Sequence, residues 1–93
     1  MSKRHSVTQT RGINRSSLYY VEFERFARKL RQRIQELRQQ KELTQEGMQD
    51  FELNLRQFQR IESGETKNIT LANLFRIAKA FDVRISELLT SIE

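Results

Sequence analysis

The fold is decided by one stretch, residues 43–64, which reads Leu-Thr-Gln-Glu-Gly-Met-Gln-Asp-Phe-Glu-Leu-Asn-Leu-Arg-Gln-Phe-Gln-Arg-Ile-Glu-Ser-Gly. Thr44 and Asn54 carry side-chain oxygens that can accept hydrogen bonds from the N–H groups of a first helical turn. Gly64 suits the left-handed backbone that ends a helix. The stretch therefore predicts two short helices, at about 45–51 and about 55–62, joined by a tight turn.

Each of these helices has an apolar side that can pack against the other. The apolar positions, one of them in the turn, are Met48, Phe51, Leu53, Phe58 and Ile61. Arg56 and Arg60 lie four residues apart on the opposite side of the second helix, with Gln57 and Gln59 beside them. The pattern indicates a helix-turn-helix motif with an exposed Arg/Gln face.

An Arg/Gln helix face has two interpretations. On most helices such a face is only a solvated surface. Arginine and glutamine are also the side chains whose forked groups match the edges of guanine and adenine in the major groove of DNA. The residues around the motif decide between the two.

Four segments resemble the phage-repressor-like (Cro/C1, Xre) helix-turn-helix family in their order and spacing, over about residues 26–90. They are Leu37-Arg38-Gln39-Gln40-Lys41-Glu42-Leu43-Thr44-Gln45-Glu46, Gln59-Arg60-Ile61-Glu62-Ser63-Gly64, Ile77-Ala78-Lys79-Ala80-Phe81-Asp82-Val83 and Ser86-Glu87-Leu88-Leu89. The connection Asn68-Ile69-Thr70-Leu71 is also similar to controller proteins of restriction–modification systems. The chain departs from the family pattern by being one residue shorter between Thr44 and Gly64, by Gln49 in place of a small residue, and by Glu52 in place of the usual turn glycine.

The resemblance implies an all-α, compact five-helix bundle of the lambda-repressor-like type with an N-terminal extension. Helical spacing agrees: a first helix is predicted at about 18–41, one after the cap Thr70, and a last short helix capped by Ser86. Their expected apolar positions are Phe23, Phe26 or Ala27, Leu30, Ile34 and Leu37; Leu71, Leu74, Ile77, Ala78 and Phe81; and Leu88, Leu89 and Ile92. Residues 1–16 are predicted to be a flexible basic arm, and residues 17–93 the helix-turn-helix domain.

The function implied by the resemblance is a transcriptional regulator that binds double-stranded DNA sequence-specifically, as a homodimer on a near-palindromic operator. At family positions, Leu55, Arg56, Gln57 and Arg60 fall where base edges are contacted, with Gln59 on the flank. Leu55 can equally complete the core beside Phe58. Gln45 falls where a side chain clamps phosphate or orients a base-contacting partner. Candidate phosphate contacts are Asn54, Thr66, Lys67 and Asn68. The sequence leaves repressor and activator roles both open.

The net charge of +5 is unevenly distributed. Residues 1–21 carry four bases and no acid, whereas residues 42–93 carry six bases against nine acids. Phosphate contacts near the motif must therefore come from a few local bases and helix N-termini, helped by the arm.

Other functional classes find little support. The chain has no cysteine and a single histidine, His5, so neither a metal site nor another cofactor is expected. No nucleophile–histidine pair or phosphate loop suggests an enzyme, and Asp50 and Glu62 resemble surface acids. No apolar run reaches the ~20 residues of a membrane span, so we expect a cytoplasmic protein without membrane contact.

Two questions stay open at this level. The segment Leu18-Tyr19-Tyr20-Val21-Glu22-Phe23 either packs back onto the core or forms a dimer surface, and the last helix is a second candidate dimer surface by resemblance. The alternative function is an antitoxin-like or other protein-interaction module. A neighbouring reading frame for a toxin, or a co-purifying second chain, would favour that alternative.

Overall fold

The computed structural model describes residues 12–92, in which helices are the only regular elements. They are α1 (Tyr20–Gln40), a 3₁₀ helix (Glu46–Phe51), α2 (Leu55–Ser63), α3 (Leu71–Phe81) and α4 (Ile85–Leu88). The predicted all-α, five-helix fold is thus confirmed. The predicted arm lies mostly outside the described residues.

A single core lies between these helices. Helix α1 packs against α2, α3 and α4, while the 3₁₀ helix packs against α2 and α3. The buried apolar residues are Leu30, Ile34, Met48, Leu53, Phe58, Ile61, Ile77, Ala78, Ala80, Phe81, Leu88 and Ile92. Phe58 and Ile61, predicted to be the apolar side of the second motif helix, are 0% and 2% exposed.

Helix α1 begins two residues later than predicted. Before it, Ser17 N–H donates to Asn14 O at 2.9 Å, and Tyr19 N–H donates to Ser17 Oγ at 3.0 Å, so residues 14–19 form turns instead. The helix ends where Glu42 adopts a left-handed backbone (φ 57°) and Leu43 N–H donates to Arg38 O at 3.0 Å.

The first motif helix is a 3₁₀ helix and not an α-helix. Its bonds join residues three apart, as in Met48 N–H to Gln45 O at 3.2 Å and Glu52 N–H to Gln49 O at 3.1 Å. A stretch of only six residues tolerates this tighter winding. The Thr44 hydroxyl accepts from Gly47 N–H at 2.9 Å, but the helix begins at Glu46 with Gln45 as its N-cap, one residue after the start that Thr44 predicts.

Helix α3 corrects one expected core position. Leu71 is 75% exposed, because the inward side of α3 starts at Asn73 and continues through Ile77, Ala78 and Phe81. Asn73 is buried, and its Oδ1 accepts from the Arg76 guanidinium at 3.1 Å. The predicted cap Thr70 accepts from Asn73 N–H at 3.1 Å, and Asp82 (φ 56°) closes the helix.

The last helix starts at Ile85 with Arg84 as its N-cap, so Ser86 lies inside it and is not the cap. The Glu87 carboxylate accepts from Arg84 N–H at 2.8 Å. Leu88 and Ile92 are buried in the chain's own core, which removes them from the predicted dimer surface. The Arg33 guanidinium fastens this end to α1 by donating to Thr90 O at 2.6 Å.

The aromatic segment 18–23, which includes the start of α1, packs only partly onto the core. Leu18, Tyr19 and Val21 are exposed, whereas Tyr20 and Phe23 are half-buried. None of the helices within residues 12–92 has the length and apolarity needed to cross a bilayer.

Candidate nucleic-acid interface

Helix α2 presents the predicted polar face to solvent. Arg56, Gln57, Gln59 and Arg60 are exposed, while Phe58 on the other side is fully buried. Leu55 is half-buried, so it contributes to packing and still offers part of its side chain at the surface. One side of α2 is therefore packed against the core, and the opposite side is open to solvent.

Both ends of α2 are fixed by hydrogen bonds. The Asn54 Oδ1 accepts from Gln57 N–H at 2.9 Å, as expected of an N-cap. At the other end Gly64 adopts a left-handed backbone (φ 85°), and Thr66 N–H donates to Arg60 O at 3.3 Å. These caps fix the direction of the helix and the start of the following loop.

A buried ion pair joins α2 to α1. Glu62 is only 3% exposed, and its carboxylate accepts from Arg38 Nε at 2.6 Å and from Arg38 Nη2 at 3.1 Å. The prediction that Glu62 is a surface acid is wrong. Glu62 lies four residues after Phe58 and faces the same side, where only a neutralising cation makes burial of a carboxylate tolerable.

Gln45 extends this ion pair to the exposed face. Its amide Nε2 donates to Glu62 Oε1 at 2.8 Å, and its Oε1 accepts from Gln59 Nε2 at 3.4 Å. A continuous chain of polar contacts thus runs from Arg38 through Glu62 and Gln45 to Gln59. Two predicted site residues, Gln45 and Gln59, are brought together by it.

The two arginines of the face differ in their surroundings. Arg60 Nε lies 3.3 Å from a carboxylate oxygen of Glu65, and both side chains are largely exposed. Arg56 makes no ion pair within residues 12–92. Arg56 is therefore the cation of α2 that is not offset by a nearby acid in the described chain.

The loop after α2 carries the other predicted site residues. Thr66 and Lys67 are half-buried and Asn68 is exposed. The Thr66 hydroxyl accepts from Asn68 N–H at 3.2 Å, which shapes this loop. With Asn54 before α2 and these residues after it, the predicted phosphate contacts flank the Arg/Gln face at both ends.

Arg31 lies near this face, and the sequence pattern did not identify it as a neighbour of α2. A Cβ at Gly64 would lie 2.5 Å from Arg31 Nη1, so the guanidinium from α1 rests against the end of α2. Helical spacing places Arg31 off the main apolar stripe of α1, but it carries no information on which loop crosses that side. Only the packing of α1 on α2 reveals this neighbour.

The described residues contain no group of three or more His, Cys, Asp or Glu side chains arranged to hold a metal ion. Most of the predicted site residues instead lie along α2 and the loop that follows it. Such an arrangement suits docking against a long polar surface.

Comparison with known proteins agrees with this geometry. The profile of the Cro/C1-type HTH DNA-binding domain matches residues 22–93, which is most of the chain. No curated protein and no solved structure gives a significant match. The profile spans the 3₁₀ helix, α2 and the loop that follows, together with the helices that hold them. The chain therefore belongs to the family of Cro/C1-type helix-turn-helix DNA-binding domains.

Proposed function

We propose that this protein is a transcriptional regulator of the cytoplasm that binds a near-palindromic duplex operator as a homodimer, with α2 in the major groove. The observation that carries the proposal is the two-sidedness of α2. One side of α2 is held against the core by Phe58, Ile61 and the Arg38–Glu62 pair, and the opposite side exposes arginine and glutamine. A rigidly held helix that exposes these side chains fits base readout.

Each exposed side chain has a defined role in this proposal. Arg56 and Arg60 read guanine through two parallel hydrogen bonds, and Gln57 and Gln59 read adenine. The accessible part of Leu55 contacts a thymine methyl group. Arg60 leaves Glu65 when it meets DNA, and this exchange costs little because an exposed ion pair is worth only about 0–1 kcal/mol.

Contacts with the DNA backbone set the register. Asn54 at the start of α2, and Thr66, Lys67 and Asn68 after its end, contact phosphates on the two sides of the groove. Gln45 acts mainly through Gln59, because its amide is engaged with Glu62 and Gln59. It fixes the direction in which Gln59 reaches the bases.

A homodimer follows from the size of the reading surface. One α2 of nine residues contacts too few base pairs to find a single site in a genome. Two copies related by a two-fold axis read two half-sites about one helical turn, ~34 Å, apart. The operator is then near-palindromic because the protein is symmetric.

The test begins with selection of binding sites from random duplex DNA and continues with Arg56→Ala. We expect this substitution to weaken binding to the selected site by about 1–3 kcal/mol and to relax the preference at one base pair. The melting temperature stays at the wild-type value because Arg56 is exposed. Arg84→Ala is the matched control, since it removes an exposed arginine beside α4, a helix that packs on α1 and α3 but not on α2.

Equal affinities of the Arg56→Ala variant and the wild type for the selected site would contradict the assignment of α2. Failure to select any sequence, combined with co-purification of a second protein, would favour the protein-interaction module instead.

A further inference from the structure

Helix α3 has an apolar side that the fold leaves uncovered. Leu71 and Phe75 are 75% and 52% exposed, lie four residues apart, and have Ala72 between them on the same side. We call this surface, with its charged rim, the α3 face. Large exposed apolar side chains that cluster in this way mark interaction surfaces, because single soluble domains rarely expose contiguous apolar patches.

The rim of the α3 face carries charges of both signs on different elements. Asp50 and Glu52 come from the 3₁₀ helix and the turn after it, and Arg76 and Lys79 come from α3 itself; all four line the same groove as Phe75. The Lys79 ammonium lies 5.2 Å from the centre of the Phe75 ring, on the basic part of the rim. Glu52 and Arg76 already form an exposed ion pair within one chain, with Arg76 Nε 3.5 Å from Glu52 Oε1. The rim charges that make no ion pair in the described part of the chain are therefore the acid Asp50 and the base Lys79.

This distribution indicates which partner fits. A surface with acids on one element and bases on another is complementary to a copy of itself turned about a two-fold axis, because each acidic part then meets a basic part. A partner with a uniformly acidic or basic surface would instead meet like charges on one part of the rim. Charge complementarity thus favours a second copy of the chain.

We propose that two copies of this protein pair through the α3 face. Leu71 and Phe75 lie at the centre of the interface, and the acidic part of each rim faces the basic part of the other. The proposal rests on the proposed function, which requires a homodimer, and it names the surface that forms it. Because α3 directly follows the loop after α2, pairing through α3 also joins the two α2 helices in one rigid assembly. The burial of Leu88 and Ile92 leaves the last helix little apolar surface for this purpose.

The competing surface is the exposed set Leu18, Tyr19 and Val21. It precedes or begins α1, whose first residue is Tyr20, and it lies outside the matched domain. This set provides a matched control, because it offers exposed apolar side chains at a different place on the chain.

The first test places a carboxylate in the centre of each surface. We expect Phe75→Glu to raise the dissociation constant of the pair, measured by sedimentation equilibrium, about tenfold or more, because a charge would be buried between the copies. Tyr19→Glu should pair like the wild type. Pairing of Phe75→Glu at wild-type strength, or loss of pairing by Tyr19→Glu alone, would overturn the proposal, as would a wild-type chain that is monomeric both alone and on DNA.

A second test uses the rim and does not depend on the fold tolerating one substitution. One variant carries Asp50→Lys and Glu52→Lys, and the other carries Arg76→Glu and Lys79→Glu. Each rim then has a single sign, so each variant alone should pair about tenfold or more weakly than the wild type. An equal mixture should form a heterodimer at least as tight as the wild-type pair, and a mixture that pairs no better than its components would overturn the proposal.

DNA binding separates this proposal from the proposed function. Phe75→Glu should bind an isolated half-site like the wild type, with the same base preference, and lose only cooperative binding to the full site. If the wild type binds no half-site and no full site, the DNA-binding assignment of α2 fails. The sedimentation results then still decide whether the α3 face joins two copies.

Discussion

Arg38 is the residue that makes the burial of Glu62 tolerable. Its guanidinium binds the Glu62 carboxylate through two nitrogens and also donates to Leu43 O at 2.7 Å. One side chain of α1 therefore holds α2 and the start of the motif at once. A buried ion pair of this kind contributes modest net stability, but removal of one partner is costly because the other charge stays buried.

We therefore expect Arg38→Met to lower the free energy of unfolding by about 3–5 kcal/mol in a urea titration. The double variant Arg38→Met, Glu62→Met should recover most of this loss, because no charge is then left in the core. A single variant that unfolds at the wild-type urea concentration would show that Glu62 is hydrated in the folded protein.

Glu52 carries the backbone turn of the motif. It adopts a left-handed conformation (φ 66°, ψ 25°) at the position where the family usually has glycine. A non-glycine residue there is strained, and a β-branched residue is strained most. The departure from the family pattern thus changes the side chain at the turn, and the left-handed turn still forms without glycine.

Glu52→Val should lower the free energy of unfolding by about 1–3 kcal/mol, whereas Glu52→Gly should change it by less than about 1 kcal/mol. Both variants lose the same exposed ion pair with Arg76, so their difference reports the backbone alone. Urea titrations at low protein concentration would measure it without a contribution from pairing. Equal losses in the two variants would contradict the left-handed turn.

Residue-level patterns predicted only part of this site. Helical spacing correctly placed Phe58 and Ile61 inside, since both depend on one helix and its period. The same spacing could not reveal that Glu62 is buried, because this depends on Arg38, 24 positions earlier in the chain. Distant partners of this kind follow from tertiary packing and not from local periodicity.

At the scale of elements, capping residues controlled what could be predicted. Asn54 and Thr70 accept the expected hydrogen bonds, and their helices begin where these caps predict. The 3₁₀ helix begins one residue later than Thr44 predicts, with Gln45 as its N-cap. The last helix was misplaced because the Glu87 carboxylate accepts from the backbone of Arg84, and an arginine carries no recognisable cap signal. The predicted burial of Leu71 is wrong, because helical spacing alone does not show which side of α3 faces the core.

Asn54 combines a structural and a proposed binding role, and a substitution can separate them. Asn54→Asp keeps the oxygen that accepts from Gln57 N–H and adds negative charge at a helix N-terminus, so stability should be unchanged or slightly higher. The same carboxylate would repel a neighbouring phosphate, so affinity for the selected site should fall.

Asn54→Ala is the companion variant. It should lower the free energy of unfolding by about 1 kcal/mol through loss of the cap. Thermal melting and quantitative DNA binding of both variants would separate the two effects. Wild-type affinity of the Asn54→Asp variant would show that Asn54 does not face a phosphate.

At the scale of the whole molecule, the unequal charge distribution has to be reconciled with DNA binding. The part of the chain that contains the motif, residues 42–93, has more acids than bases. One of those acids, Glu62, is neutralised by Arg38 in the core, and another, Glu65, lies beside Arg60. The surface around α2 is therefore less acidic than the count suggests, yet it offers few cations for phosphate.

We expect the first eleven residues to supply further cations. They contain Lys3, Arg4 and Arg11 and no acid. Each base that neutralises a phosphate contributes about 0.9 to the slope of log affinity against log salt concentration. Deleting residues 1–11 should therefore lower affinity for all duplexes alike and reduce that slope by up to about 3 units, without changing the preferred sequence.

A full-length variant with glutamine at these three positions controls for chain length, and it should match the deletion if charge alone matters. Binding isotherms at several salt concentrations, on the selected site and on a scrambled duplex, would measure both effects. Parallel slopes for all three proteins would show that the basic residues make no phosphate contact. A changed base preference would instead mean that this segment reads a groove, since phosphate contacts carry no direct sequence information.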